Sequence, residues 1–190
     1  MVYPRLTKTA PAEAAPVCTV KPRINFLVGP PSDPKKLSAM MDGFFSEQGK
    51  HVVCGGTTSL LVGAFLHKPV DTILPRHLDP RVPPMATIDG VDLVTEGLIT
   101  IGQVLEYARQ YLAVNCSPWN RKEDGASKIA RLLFEEGGEL TFYVGSAVNP
   151  GYQDTGLEEV PGGYRDKIGL FKALETCLRK MGKQLQVHYF

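Results

Sequence analysis

Nine consecutive residues, His51 to Ser59, bring a thiol, two glycines and three hydroxyls together directly after a short apolar stretch: His51, Val52, Val53, Cys54, Gly55, Gly56, Thr57, Thr58, Ser59. In an α/β protein this order reads as strand, tight turn and capped helix start, and a helix start offers free backbone N–H groups to an anion. The sharper phosphate signatures are missing. A nucleotide P-loop needs a lysine directly after its second glycine, whereas none follows Gly56 before Lys68, and there is no Gly-x-Gly-x-x-Gly dinucleotide spacing. A thiolate phosphatase would place an arginine close behind Cys54 to hold the phosphate, but the next one is Arg76. Cys54 stands with Gly55, Gly56, Thr57 and Thr58 among the ligand-binding candidates, as a thiol packed beneath the turn rather than a nucleophile acting from it.

Two more apolar runs end in glycine, Val28 into Gly29 and Val144 into Gly145. If all three strands are parallel, their carboxyl ends share one edge of the sheet. Ligands of such folds bind there, at the point where strand order reverses. The expected crevice gathers Gly29, Gly55, Gly56, Thr57, Thr58, Gly145, Ser146 and Asn149. Glycines also end strands for purely conformational reasons, so the pattern alone does not separate a site from a turn.

Asp89, Asp92 and Glu96 form the compact acidic cluster of the chain. Such carboxylates can hold a divalent cation or a ribose hydroxyl, and a solvated turn between two short strands would use the same residues. Glu96 is kept with the crevice as a ligand-binding candidate. His51, His67, His77 and His188 pair with no nucleophile motif, and no Gly-x-Ser-x-Gly elbow occurs. Arg76, His77 and Arg81 read either as a cationic lip over an anion or as an exposed loop. The four cysteines, Cys18, Cys54, Cys116 and Cys177, lack metal-site spacing, so no metal ligands, cofactor or catalytic residue is assigned.

The elements that must position these residues follow from periodicity. Residues 1–22 hold Pro4, Pro11, Pro16 and Pro22 among alanines and threonines and read as a flexible tail or linker, leaving 23–190 as one α/β domain. Ile24 to Val28 predicts a buried strand. Asp33 before Pro34 predicts a helix start ahead of Leu37, Met40, Met41, Phe44 and Phe45. Strand, turn and helix then repeat over residues 51–66. Met85–Ile88 and Val91–Val94 look extended, and Thr100 with Gln103 has the form of a capping box for a helix through Leu112. A helix over Ala126–Leu133 and a strand over Leu140–Val144 precede a glycine- and proline-rich loop, Asn149–Gly163. A helical stripe from Ile168 to Met181 stops at Gly182, and alternation over Gln184–Tyr189 predicts an edge strand. The whole predicts a three-layer α/β sandwich with a mainly parallel sheet and an edge strand at the C-terminus.

At 190 residues, 43% hydrophobic and 22% charged, the composition is that of a globular domain. A formal net charge of +1 gathers neither nucleic acid nor an anionic membrane. With no signal-like or membrane-length apolar run, a cytoplasmic protein with reduced thiols is expected.

Six words stand in fixed order: INFLVGPP (24–31), VVCGGTTS (52–59), IDGVDLVTEGLIT (88–100), EDGASKIARLL (123–133), FYVGSAVNPGYQ (142–153) and MGKQLQVHYF (181–190). On these, the chain from about Pro22 onward resembles the C-terminal companion domain of bacterial serine phosphatases of the sporulation stage II protein E (type 2C) kind. The resemblance implies a regulatory domain whose metal-dependent phosphatase partner lies upstream. The paired-metal words of that partner are not here. Asp42-Gly43, Asp89-Gly90 and Asp124-Gly125 lack their context, and Asp-Asp is absent, so the attacking water would have no activating metals. Where the family reads Asn-Pro-Ala-His-Gln, this chain has Asn149, Pro150, Gly151, Tyr152 and Gln153, and tyrosine does not replace histidine as a base near neutral pH.

The expectation is a non-catalytic ligand-sensing or protein-interaction domain for a small anion or nucleotide, with a phosphatase domain or another protein as partner. One alternative is a small enzyme on a phosphorylated or nucleotide substrate, with Cys54, Thr57 or Thr58 at the chemistry and Asp89, Asp92 or Glu96 on a metal. The other is a dimerisation module, a homodimer paired through the strand at Gln184–Tyr189.

Overall fold

Ile24, Asn25, Phe26, Leu27 and Val28 are all buried, which demands strands on both flanks and a packed layer on each face. The computed structural model, which describes residues 21–73, 83–147 and 167–190, supplies all of these. In chain order the elements are β1 (Arg23–Val28), α1 (Leu37–Ser46), β2 (Lys50–Cys54), α2 (Gly56–Leu66), β3 (Asp71–Ile73), β4 (Met85–Thr87), β5 (Leu93–Thr95), α3 (Leu98–Val114), α4 (Gly125–Ala130), β6 (Glu139–Val144), α5 (Lys167–Lys180) and β7 (Gln184–Tyr189).

The seven strands form one sheet in the order β3-β4-β5-β2-β1-β6-β7. β5, β2, β1, β6 and β7 are mutually parallel, while β3 and β4 add an antiparallel edge. The chain starts at the centre, builds outward on one side through β2 and β5, then returns to the other flank of β1 with β6 and β7. Right-handed crossovers running in opposite directions place their helices on opposite faces. The packing follows. Leu27, Val53, Val94 and Tyr143 meet Met40, Met41 and Phe44 of α1 and Val62 of α2 on one face. Ile24, Phe26, Val28, Val52, Leu140 and Phe142 meet α3, α4 and α5 on the other, where Phe26 stacks on Phe142 with centroids 4.9 Å apart. Each such fully buried side chain contributes about 1.5–3 kcal/mol. The three-layer sandwich and the C-terminal edge strand are thus as the sequence predicts.

Several local expectations are corrected. The Asp33 carboxylate does accept from Lys35 N at 3.0 Å, but it starts a 3-10 turn over Pro34–Lys36, and the α-helix begins only at Leu37. Thr100 does not cap α3. It is buried inside the first turn, and Glu96 caps instead, its Oε2 accepting from Ile99 N at 3.1 Å and Thr100 N at 3.2 Å. A carboxylate at that end also suits the helix dipole. The helix after Asp124 leaves α geometry at Arg131 and continues to Glu136 as a π-helical stretch. β3 is a strand with no periodicity to predict it. Pro22, assigned to the tail, has its carbonyl bound by Gly138 N at 3.0 Å, and residues 1–20 lie outside the described residues. No described helix is long and apolar enough to cross a membrane.

Candidate functional site

Parallel pairing aligns the three glycine-ended strands. Val28 is level with Cys54 on one side and with Val144 on the other, so Gly29, Gly55 and Gly145 follow side by side on the carboxyl edge. Strand order reverses between β1 and β6, which puts Gly29 and Gly145 at the reversal and Gly55 one strand away.

The turn after β2 is fixed by backbone. Gly55 N donates to Thr95 O at 2.8 Å, and Gly55 takes φ 120°, a conformation open to glycine and strained for other residues. The expected side-chain cap is therefore not there: Gly55 is itself the N-cap of α2 and offers no acceptor. Gly56 and Thr57 are exposed, and no acceptor among the described residues takes their N–H groups. Thr58 and Ser59 are buried, and the Ser59 hydroxyl donates to Gly56 O at 2.7 Å. Cys54 is sealed beneath the turn. Burial pushes its thiol up to about 12, the Thr95 hydroxyl offsetting part of the rise and the Glu96 carboxylate adding to it. Nucleophilic catalysis needs the thiolate, and this thiol stays protonated at neutral pH.

At the reversal point the two loops are closely joined. Gly145 N donates to Val28 O at 3.0 Å and Ala147 N to Pro30 O at 3.1 Å. Ser146 places its hydroxyl 3.0 Å from that of Ser32 and donates to Phe190 O at 2.6 Å. Asn149 lies outside the described residues, as do Arg76, His77, Arg81 and the loop Asn149–Gly163.

The acidic cluster separates into three unrelated roles. Asp89 pairs with Lys68 at 2.8 Å, which holds its carboxyl below the usual carboxylate range. Asp92 accepts from His51 N at 2.7 Å, and Glu96 caps α3. Asp92 precedes β5 and Glu96 follows it, so a strand's length of roughly 10 Å lies between them. Among the described residues no group of three or more His, Cys, Asp and Glu side chains is placed to hold a metal. His51 is equally committed, its Nε2 lying 3.0 Å from Phe44 O and its ring packed on Phe44 and Phe45.

One residue at this edge escaped the sequence. Lys167, in the first described turn of α5, lays its stem across Gly29 and donates from Nζ to Ala147 O at 2.9 Å. Burial lowers its pKa to about 8. A lysine on an amphipathic helix carries no signal of its own, and only the sheet order brings it to the strand ends. With this geometry established, comparison with protein-family models, curated proteins and solved structures finds no match for the chain.

Proposed function

We propose that this is a non-catalytic ligand-sensing domain that takes a small anion or a nucleotide on the carboxyl edge of its sheet. The observation that carries this is the parallel register that brings Gly29, Gly55 and Gly145 to one edge, beside an α2 start where Gly56 and Thr57 are exposed and their N–H groups meet no acceptor among the described residues. Unused N–H groups at a helix start favour negative charge. The sealed thiol and the dispersed carboxylates favour binding over chemistry at this edge. The resemblance to phosphatase companion domains extends the proposal to a regulatory partner of a bacterial serine/threonine phosphatase in the cytoplasm.

The test is thermal unfolding of the full chain with and without inorganic phosphate, AMP, ATP and glucose 6-phosphate. A ligand at a hundred times its Kd stabilises by about 2.7 kcal/mol. In a chain of this length that raises Tm by about 5–10 °C. No shift with any of the four overturns the proposal. Turnover of these phosphates that is lost in Thr57→Ala would favour the enzyme alternative.

A second, compatible role rests on β7. Among the described residues it pairs with β6 alone, and Tyr189 at its end is 44% exposed, so this six-residue strand offers its outer side to an equivalent strand of a second copy. Light scattering at high protein concentration tests it: a monomer removes the role.

A further inference from the structure

We propose that the ligand carries an acid group, phosphate or carboxylate, whose charge is met by the ammonium of Lys167 at the reversal point between β1 and β6; this rests on the carboxyl edge being a ligand site. The position is built rather than incidental. Gly29 leaves the space that the lysine fills, because a Cβ there would stand 3.2 Å from Lys167 Cδ and Cε and closer still to Nζ. The side chain is thereby drawn over the end of β1 instead of reaching for water, as surface lysines do.

Nothing it meets there among the described residues neutralises it. An ammonium has three donors, and the Ala147 carbonyl occupies one. Among the described residues no carboxylate pairs with it, in contrast to Lys50, held by Glu136 at 2.7 Å, and Lys68, held by Asp89 at 2.8 Å. Burial disfavours the charged form of this ammonium, and the downward shift to about 8 expresses that desolvation. Methionine would cover Gly29 as well without the penalty. The charge is explained by a partner that brings the opposite sign and fills the remaining donor positions.

The placement also says which part of the ligand sits where. The acid group belongs at the β1–β6 reversal, between the loops of Gly29 and Ala147, with the rest of the ligand extending toward the open start of α2 one strand away. Phosphate and carboxylate both satisfy an ammonium, so the test carries both.

Titration calorimetry on the full chain with AMP, inorganic phosphate and succinate reads the affinity, and Lys167→Met and Lys167→Arg read the anchor. The expected result is binding of at least one probe, weakened ten-fold or more by Lys167→Met and partly recovered by Lys167→Arg. A phosphate source predicts that AMP and phosphate outcompete succinate, and a carboxylate source the reverse. Acetylation of Lys167 by a water-soluble succinimidyl ester, mapped by mass spectrometry on wild type, supplies a readout that does not depend on variants folding: the bound probe should protect Lys167. If a probe binds wild type and Lys167→Met equally and leaves Lys167 unprotected, the anchor is overturned while the edge site stands. If no probe binds wild type, both fall.

Discussion

The carbonyl of Pro30 stands where a side chain on Gly145 would have to go. The loops after β1 and β6 can meet only because residue 145 has no Cβ, and this meeting closes the floor of the strand-reversal point. Gly145 is thus a packing requirement of the edge before it is anything else.

Gly145→Ala should therefore destabilise by about 1–3 kcal/mol, the usual range for forcing extra volume into a filled space. Urea unfolding should show a lower midpoint with an unchanged slope. Gly56→Ala, at a glycine with open space around its missing Cβ, should stay within about 0.5 kcal/mol of wild type.

Removing the Glu96 carboxylate should expose the start of α3. Glu96→Ala leaves the N–H groups of Ile99 and Thr100 without their shared acceptor, and loss of such a cap costs about 0.5–2 kcal/mol. Thr100→Val, which leaves that acceptor in place, should cost less. The opposite ranking would restore Thr100 as the cap.

Thiol labelling should separate the cysteines by burial. Cys54 should resist iodoacetamide at pH 8 in the folded protein and react fully in urea, whereas exposed Cys116 should label ahead of half-buried Cys177. Peptide mapping at short times reads the order. Rapid native labelling of Cys54 would return it to the list of reactive groups.

Lys167 should give the protein a measurable alkaline response. Its pKa is lowered to about 8 by burial, while an unfolded lysine titrates near 10.4, so between these values the unfolded chain binds more protons than the folded one. Stability conferred by this position therefore rises with pH over that window. Compared with Lys167→Met, wild type should gain relative stability from pH 8 to 10 and show no change of difference below pH 7. Urea midpoints at pH 6, 7, 8, 9 and 10 check the slope, and a flat difference would show that the ammonium is not desolvated.

The parts of this molecule that were legible in the sequence are those in which one residue type answers to local geometry. Ile24 to Val28, Val52 to Cys54 and the stripe from Ile168 to Met181 announce buried strands and an amphipathic helix by spacing alone, and their order implies the layers. The alignment of Gly29, Gly55 and Gly145 is legible because three parallel strands that each end in glycine bring those glycines to one edge. What was not legible depends on distant pairing. β3 is three exposed residues, Asp71 to Ile73, that become a strand only because β4 offers an edge. Thr100 and Gln103 imitate a capping box, yet the cap lies with Glu96, because the chain leaves β5 through Gly97 and turns into the helix early enough to bury Thr100. Lys167 is separated from Gly29 by more than a hundred residues, and no pattern of spacing connects them.

The strand order also dictates how the chain must come together. β1 is the most deeply buried strand, its second flank is completed by residues 139–144, and all that lies between is made first. A sheet assembled in chain order would keep β1 as an open, water-averse edge until residues 139–144 join it, and loop closure across that gap is slow. Any product truncated before Glu139 would present β1 as a bare template for pairing with other chains. The reversal that aligns the glycine-ended strands in the finished protein is the same feature that leaves the unfinished one open to self-association.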